Sequence, residues 1–199
     1  RKNVFGNSAI WVLAIANFFV YIVRYAVLDW GPTLLGEWKG VSIHHAGWMV
    51  AAFEISGIVG MLVAGWATDR FFGGRGPRVC VICMALATVF VALFWGISQP
   101  PMWLATLLLG AAGFCIYGPQ ALVGIAAANI ATKKAAATAV GFTGLFGYAS
   151  TLVSGWGLGL LAQHYGWNIA VGALILIAIM GTLIFMAAWS AKANGYDND

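Results

Sequence analysis

Three ionisable side chains lie inside long apolar runs of this sequence. Arg24 and Asp29 fall within "FFVYIVRYAVLDWGP" (residues 18–32), and Glu54 lies about ten residues into the next run, close to its midpoint. At the centre of a membrane helix each costs roughly 2.5–3.5 kcal/mol on insertion scales, so each needs a physical reason. A long arginine stem can snorkel to the headgroups. The neighbours of Arg24 point elsewhere: Asn17, Tyr21 and Arg24 follow the 3-4 helical rhythm and form one polar stripe. A polar stripe on an otherwise apolar helix faces a cavity. The guanidinium fork is always charged and grips phosphate through two hydrogen bonds, so the stripe suits a phosphorylated anion. Asp29, near the end of its run, fits an interface position as well as a switchable ion pair.

Two tyrosines extend the pattern. In "CIYGPQ" (115–120), Pro119 removes a backbone hydrogen bond and bends its helix beside Tyr117. That bend serves equally as a gate, a ligand contact or a plain kink. Tyr117 sits as deep in the fourth run as Arg24 does in the first. If spans one to three and four to six are inverted repeats, both residues line one cavity. Tyr148, midway along the fifth run, is a third candidate contact, and a buried phenol needs a partner. Cys80 and Cys83 have C-x-x-C spacing, but no second pair and no histidine at ligand spacing accompanies them. With Cys115 they read as small apolar residues within spans. No nucleophile–base pair and no H-E-x-x-H helix is visible. The expectation is no enzyme, no metal and no cofactor.

The elements that must position these residues follow from composition. The chain is 62% hydrophobic and 8% charged, with mean hydropathy +0.89; soluble domains carry about a quarter charged residues. This is an integral membrane protein, expected to be all-α. About 20 apolar residues cross a bilayer, and six such runs are read at 8–30, 44–67, 77–97, 102–124, 135–162 and 167–190, forming one bundle over 1–199. Gly31-Pro32 is expected to stop the first. That run is too long, and lacks the small-residue cleavage site, of a signal peptide. Arg1, Lys2, Arg70, Arg75, Arg78, Lys133, Lys134 and Lys192 fall on one side of the spans, against Lys39 on the other. That asymmetry places both ends in the cytoplasm, with the bundle in the inner (plasma) membrane. The net charge of +4 therefore reports topology, with no nucleic-acid partner. Tryptophans agree: Trp11, Trp66 and Trp189 mark one face, and Trp30, Trp48, Trp95, Trp103 and Trp167 the other. In the fifth run Gly141, Gly144, Gly147, Gly155, Gly157 and Gly159 suggest close helix packing, or a helix that bends.

"GWATDRFFGGRGPR" (65–78) resembles the major-facilitator loop between the second and third helices of a six-helix half. "VYIVRYAVLDWGPT" (20–33), "KKAAATAVGFTGLFGY" (133–148) and "IYGP" (116–119) resemble the organophosphate:phosphate antiporters, which include glycerol-3-phosphate and hexose-6-phosphate transporters. The similarity runs from about residue 8 to 190 and falls on the C-terminal half. It implies a 3+3 inverted repeat and exchange of a sugar phosphate or glycerol phosphate for inorganic phosphate by alternating access. It also implies that Arg24 joins a second arginine on an N-terminal six-helix half, and that Tyr21, Tyr117 and Tyr148 line the cavity. Asp29 and Glu54 would form rearranging salt bridges, and Asp69 and Arg70 a cytoplasmic latch. A latch of this kind would let Asp69 accept from a neighbouring helix N-terminus. The chain reads as a crop of a twelve-helix protein, ahead of six-helix chains that pair. A membrane sensor of sugar phosphate with the same fold, and a proton-coupled sugar or drug carrier, are the alternatives.

Overall fold

The computed structural model describes residues 2–198. A short α1 (Lys2–Phe5) precedes α2 (Ser8–Lys39), α3 (Ile43–Phe71), α4 (Gly76–Gly96) and α5 (Met102–Ile130). A 3-10 turn (Lys133–Ala135) leads into α6 (Ala136–Ala149), a π segment (Val153–Gly157) and α7 (Leu158–Tyr165), followed by α8 (Trp167–Ala187). Six spans result, because α6, the π segment and α7 together make one crossing.

The first span corrects an expectation. Gly31-Pro32 does not end it; α2 continues through Pro32 to Lys39, for 32 residues. Proline forfeits one backbone bond, but a buried neighbour helix can hold such a turn in place. Here α3 lies so close that a Cβ on Gly31 would sit 2.7 Å from a Val50 methyl. The helix stops instead at Gly40, whose φ of 69° is left-handed and whose N–H returns to the Leu35 carbonyl. At about 48 Å, α2 is longer than a bilayer core. Likewise α5 runs unbroken through Pro119 to Ile130, six residues past its expected end.

The fifth span departs the other way. Ser150, Thr151 and Ser154 turn their hydroxyls back onto the carbonyls of Gly147, Tyr148 and Thr151. Such back-bonding competes with the regular ladder, and the helix passes into π geometry at Val153–Gly157. Of the glycines expected to pack closely here, Gly147 lies against α2 and Gly159 under the Trp30 ring. A Cβ added to Gly141, Gly144 or Gly155 would meet nothing within 4 Å, so these three do not serve that purpose within this chain.

The tightest seam lies between α3 and α5 instead. A Cβ on Gly57 would strike the Tyr117 ring, one on Gly60 the Phe114 carbonyl, and one on Gly113 the Phe53 carbonyl. Lipid gives helices no hydrophobic reason to associate, so close backbone approach supplies the attraction. Phe53, Met84, Ile116 and Phe185 fill the interior behind this seam. Cys80, Cys83 and Cys115 are free thiols on the facing helices α4 and α5.

The packing is self-similar. Exchanging α2 with α5, α3 with α6–α7, and α4 with α8 maps α3–α5 onto α2–α6, α4–α5 onto α2–α8, and α2–α3 onto α5–α6. All of these pairs are in contact, as are the self-related pairs α2–α5 and α4–α8. This is the 3+3 repeat. The two ends of the bundle also sort as the charges do. Arg78 donates to the Trp189 carbonyl at 3.2 Å, and Lys133 Nζ lies 5.9 Å from the Tyr196 ring. At the other end Lys39 Nζ donates to Ile97 at 2.6 Å, Trp95 to Asn168 at 2.9 Å, and Trp167 to the Glu37 carboxylate at 2.6 Å.

Candidate functional site

The stripe on α2 builds one wall. Asn17 is 3% exposed, and its Nδ2 donates to the Thr143 carbonyl at 2.9 Å, tying α2 to α6. Gly147 makes that approach possible: a Cβ there would lie 2.8 Å from Asn17 Nδ2 and 3.1 Å from the Tyr21 ring. Tyr21 stacks near Tyr25 and meets Tyr148 edge-on, with ring centroids 5.6 and 5.7 Å away.

Arg24 occupies the centre. Its guanidinium carbon lies 4.6 Å from the Tyr117 ring centroid and 5.1 Å from that of Tyr25. Both rings present electron-rich surface to the cation. One terminal nitrogen is 3.8 Å from Glu54 Oε2, an ion pair too long for a hydrogen bond. The Arg24 and Glu54 side chains are 15% and 31% exposed. The helices explain the convergence: α2 and α5 cross as repeat mates, and Gly57 of α3, one turn after Glu54, clears room for the Tyr117 ring.

The site is left chemically open. Among the described residues, five buried side-chain polar atoms have no hydrogen-bond partner: Asn17 Oδ1, Arg24 Nε, Glu54 Oε1, Tyr117 Oη and Gln120 Oε1. All five belong to α2, α3 or α5. Tyr117 Oη is near enough to feel both Arg24 and Glu54, yet meets neither in hydrogen-bonding geometry. A buried polar atom without a partner costs about 1–3 kcal/mol, so each of the five calls for a water, a ligand or another protein group.

The other candidates divide. Tyr148 borders the cluster but is 63% exposed, on the open side of the bundle. Asp29 is not near a helix end: it lies ten residues before Lys39, is exposed, and makes no ion pair or hydrogen bond among the described residues. Its neighbour Trp30 does engage, donating to the carbonyls of Ser154 and Gly155 in the π segment at 3.0 and 3.2 Å. Asp69 and Arg70 are exposed at the end of α3 and unpaired among the described residues. The N-terminus of α4, whose N–H groups are the donors that follow Asp69 in the chain, carries no side-chain cap. That loop closes through its backbone, with Gly74 N–H donating to Thr68 at 3.0 Å.

Sequence reasoning missed Tyr25 and Gln120. The signal was available, because Tyr25 follows Tyr21 by four residues and Gln120 follows Tyr117 by three, the spacings of one helix face.

Comparison with known proteins gives this geometry a family. The profile of the Major Facilitator Superfamily matches residues 13–195. A "Probable hexose phosphate transport protein" of Chlamydia pneumoniae is 40% identical over 94% of the chain and 42% of its own length. The "Membrane sensor protein UhpC" of Escherichia coli is 35% identical over 89% of the chain and 40% of its own length. The "Hexose-6-phosphate:phosphate antiporter" of Escherichia coli is 34% identical over 94% and 41%. The chain thus spans about two-fifths of the length of the curated relatives it matches. Six apolar helices paired as a 3+3 repeat, with a charged cluster where the first helices of the repeats meet, form a six-helix half of a known transporter fold: the chain belongs to the Major Facilitator Superfamily.

Proposed function

We propose that this chain is part of a secondary transporter that exchanges an organic phosphate, a sugar phosphate or glycerol phosphate, for inorganic phosphate by alternating access. The observation that carries the reading is Arg24, charged, half-buried and loosely paired, with Nε unspent among other unspent polar atoms. A phosphoryl group carries about −1.5 to −2 charges near neutral pH and offers the acceptors that this donor lacks. Its arrival displaces the 3.8 Å pairing with Glu54 and replaces a long Coulombic contact with two short charge-assisted hydrogen bonds. Because organic and inorganic phosphate share that group, either can hold the site, which is the requirement for exchange. Relatives named for hexose phosphate transport and for phosphate antiport support the assignment.

In this reading Tyr21, Tyr117 and Tyr148 line the cavity, and an N-terminal six-helix half supplies the facing wall and a second arginine. Glu54 releases and recaptures Arg24 through the cycle. Asp29 and the Asp69–Arg70 pair, unengaged in this state, take partners on that other half as the ends open and close. The basic end of the bundle faces the cytoplasm, with the bundle in the inner (plasma) membrane.

The test is counterflow with the full-length protein in phosphate-loaded vesicles. Labelled phosphate should enter only when phosphate or an organic phosphate waits inside. The similarity to a sensor protein favours one second reading, a receptor that binds the same ligand without carrying it. Saturable binding without flux would select that reading.

A further inference from the structure

We propose that Gln120, together with Tyr21, forms the subsite that recognises the hydroxyl groups of the organic moiety, one helical turn from the Arg24 phosphoryl grip. The inference rests on the phosphate-binding reading above and adds to it the residue that separates a polyol phosphate from phosphate itself.

The placement follows from the repeat. Helices α2 and α5 are three crossings apart and so run in opposite directions. Tyr21 lies three residues before Arg24, and Gln120 lies three residues after Tyr117. Both steps therefore lead to the same level, about 5 Å along the axes. Helices α2 and α5 pack against each other, so the two residues share this level of the bundle. Asn17 continues the stripe a further turn in the same direction.

The chemistry changes along this line. At the Arg24 level the unspent atoms are the Nε donor, the Tyr117 hydroxyl and one oxygen of the Glu54 carboxylate that a phosphoryl group would displace from Arg24. At Gln120 and Asn17 the unspent atoms are acceptors, Oε1 and Oδ1, buried and without a partner among the described residues. A carbonyl oxygen repels a phosphate oxygen and attracts a hydroxyl proton. Glutamine and tyrosine add no charge, so they discriminate by hydrogen bonding alone. A ligand with a phosphoryl group at one end and hydroxyls about one turn away would satisfy both levels at once. Inorganic phosphate would satisfy only the first.

The experiment uses the full-length protein in vesicles and compares inorganic phosphate, glycerol 3-phosphate, glucose 6-phosphate and propyl phosphate, a hydroxyl-free control. Wild type should hold the better hydroxylated ligand about tenfold or more tightly than propyl phosphate. Gln120→Met, which keeps the bulk and deletes the acceptor, should erase most of that preference. Its half-saturation for inorganic phosphate should rise much less than that for the hydroxylated ligand, and a cooperative melt shows that the variant is folded. Gln120→Asn, which retracts the amide by one methylene, should fall between. A preference intact in Gln120→Met, or equal losses for inorganic and organic phosphate, would overturn the proposal, as would a wild type indifferent to hydroxyls. If wild type exchanges no phosphate, the transport reading fails separately. Thermal stabilisation of the purified protein by the same four compounds then reads the subsite directly.

Discussion

Arg24→Lys is the sharpest perturbation of the site. Lysine retains the positive charge, so the attraction to Glu54 across 3.8 Å survives in kind, and the partly buried carboxylate is not abandoned. Arg24→Ala would abandon it, and removing one partner of a buried pair costs about 3–5 kcal/mol when burial is complete. With Glu54 at 31% exposure the loss is smaller, but it would blur any functional reading. Lysine removes something specific: the planar fork that rests 4.6 Å from the Tyr117 ring centroid and presents two parallel donors. A bidentate phosphate contact becomes a single one. A hydrogen bond to a charged group contributes about 1.5–3 kcal/mol, so phosphate affinity should fall roughly 10- to 150-fold. Folding should change by less than about 1 kcal/mol, within the range of a retained charge at a partly exposed site. Phosphate counterflow over a range of concentrations gives the half-saturation constant. Because that constant equals a dissociation constant only when the transport step is slow, phosphate-dependent thermal stabilisation should be measured beside it. A variant whose half-saturation and stabilisation both lie within twofold of wild type would refute the bidentate role of Arg24.

Glu54→Gln frees Arg24 from its internal competitor, so phosphate half-saturation should tighten about three- to tenfold while maximal exchange slows, as counterflow would show. Trp30→Phe keeps an aromatic ring on α2 but deletes two donor contacts to the π segment and the outer indole ring over Gly159. Amides of residues 153–158 should then exchange with deuterium about five- to tenfold faster, measured by mass spectrometry. Gly60→Ala drives a Cβ into the Phe114 carbonyl and should cost about 1–3 kcal/mol by forcing α3 and α5 apart, lowering the melting temperature. Gly65→Ala, on the same helix with nothing within 4 Å, should melt with wild type.

What the sequence disclosed and what it hid have separate causes. The six crossings are legible because bilayer thickness fixes a length and charge is confined to loops. The Arg24 cluster is legible because Asn17, Tyr21 and Arg24 share a face, and because an inverted repeat places Tyr117 at the same depth. Gly31-Pro32 misleads because a proline's missing bond is judged locally, whereas α3 supports that turn from outside the helix. The π break is hidden because it goes with three hydroxyls bonding backward and with two carbonyls that accept from a tryptophan more than 120 residues away. Glycine patterns are half legible: the spacing in α6–α7 is plain, but the seam that uses its glycines most closely is Gly57, Gly60 and Gly113 across α3 and α5. Which face of a glycine helix meets a neighbour is a tertiary fact.

The repeat also assigns work to positions. Its first helices, α2 and α5, carry Asn17, Tyr21, Arg24, Tyr117 and Gln120, and their apolar windows are the most enclosed of the six, at 50% and 67% buried. Its third helices, α4 and α8, are the most apolar; α4 has only Arg78, at its start, and α8 has no charged residue. They pack on each other and on α2 and α5, while Ile82, Leu86, Val89, Leu176 and Leu183 remain exposed. Polarity and enclosure therefore rise together, because an uncompensated polar atom is tolerable in a membrane only where lipid cannot reach it. The apolar third helices shield the polar first helices from lipid on one side. On the other side the polar face lacks a wall within this chain: Tyr148 is 63% exposed there, and Gly141 and Gly144 stand clear of any neighbour. A surface that keeps an arginine, a glutamate and four tyrosines at its rim is poorly suited to lipid. In the proposed reading an opposing protein surface covers it and encloses an anion between the two, and the unspent atoms around Arg24 then serve the ligand rather than marking a folding defect.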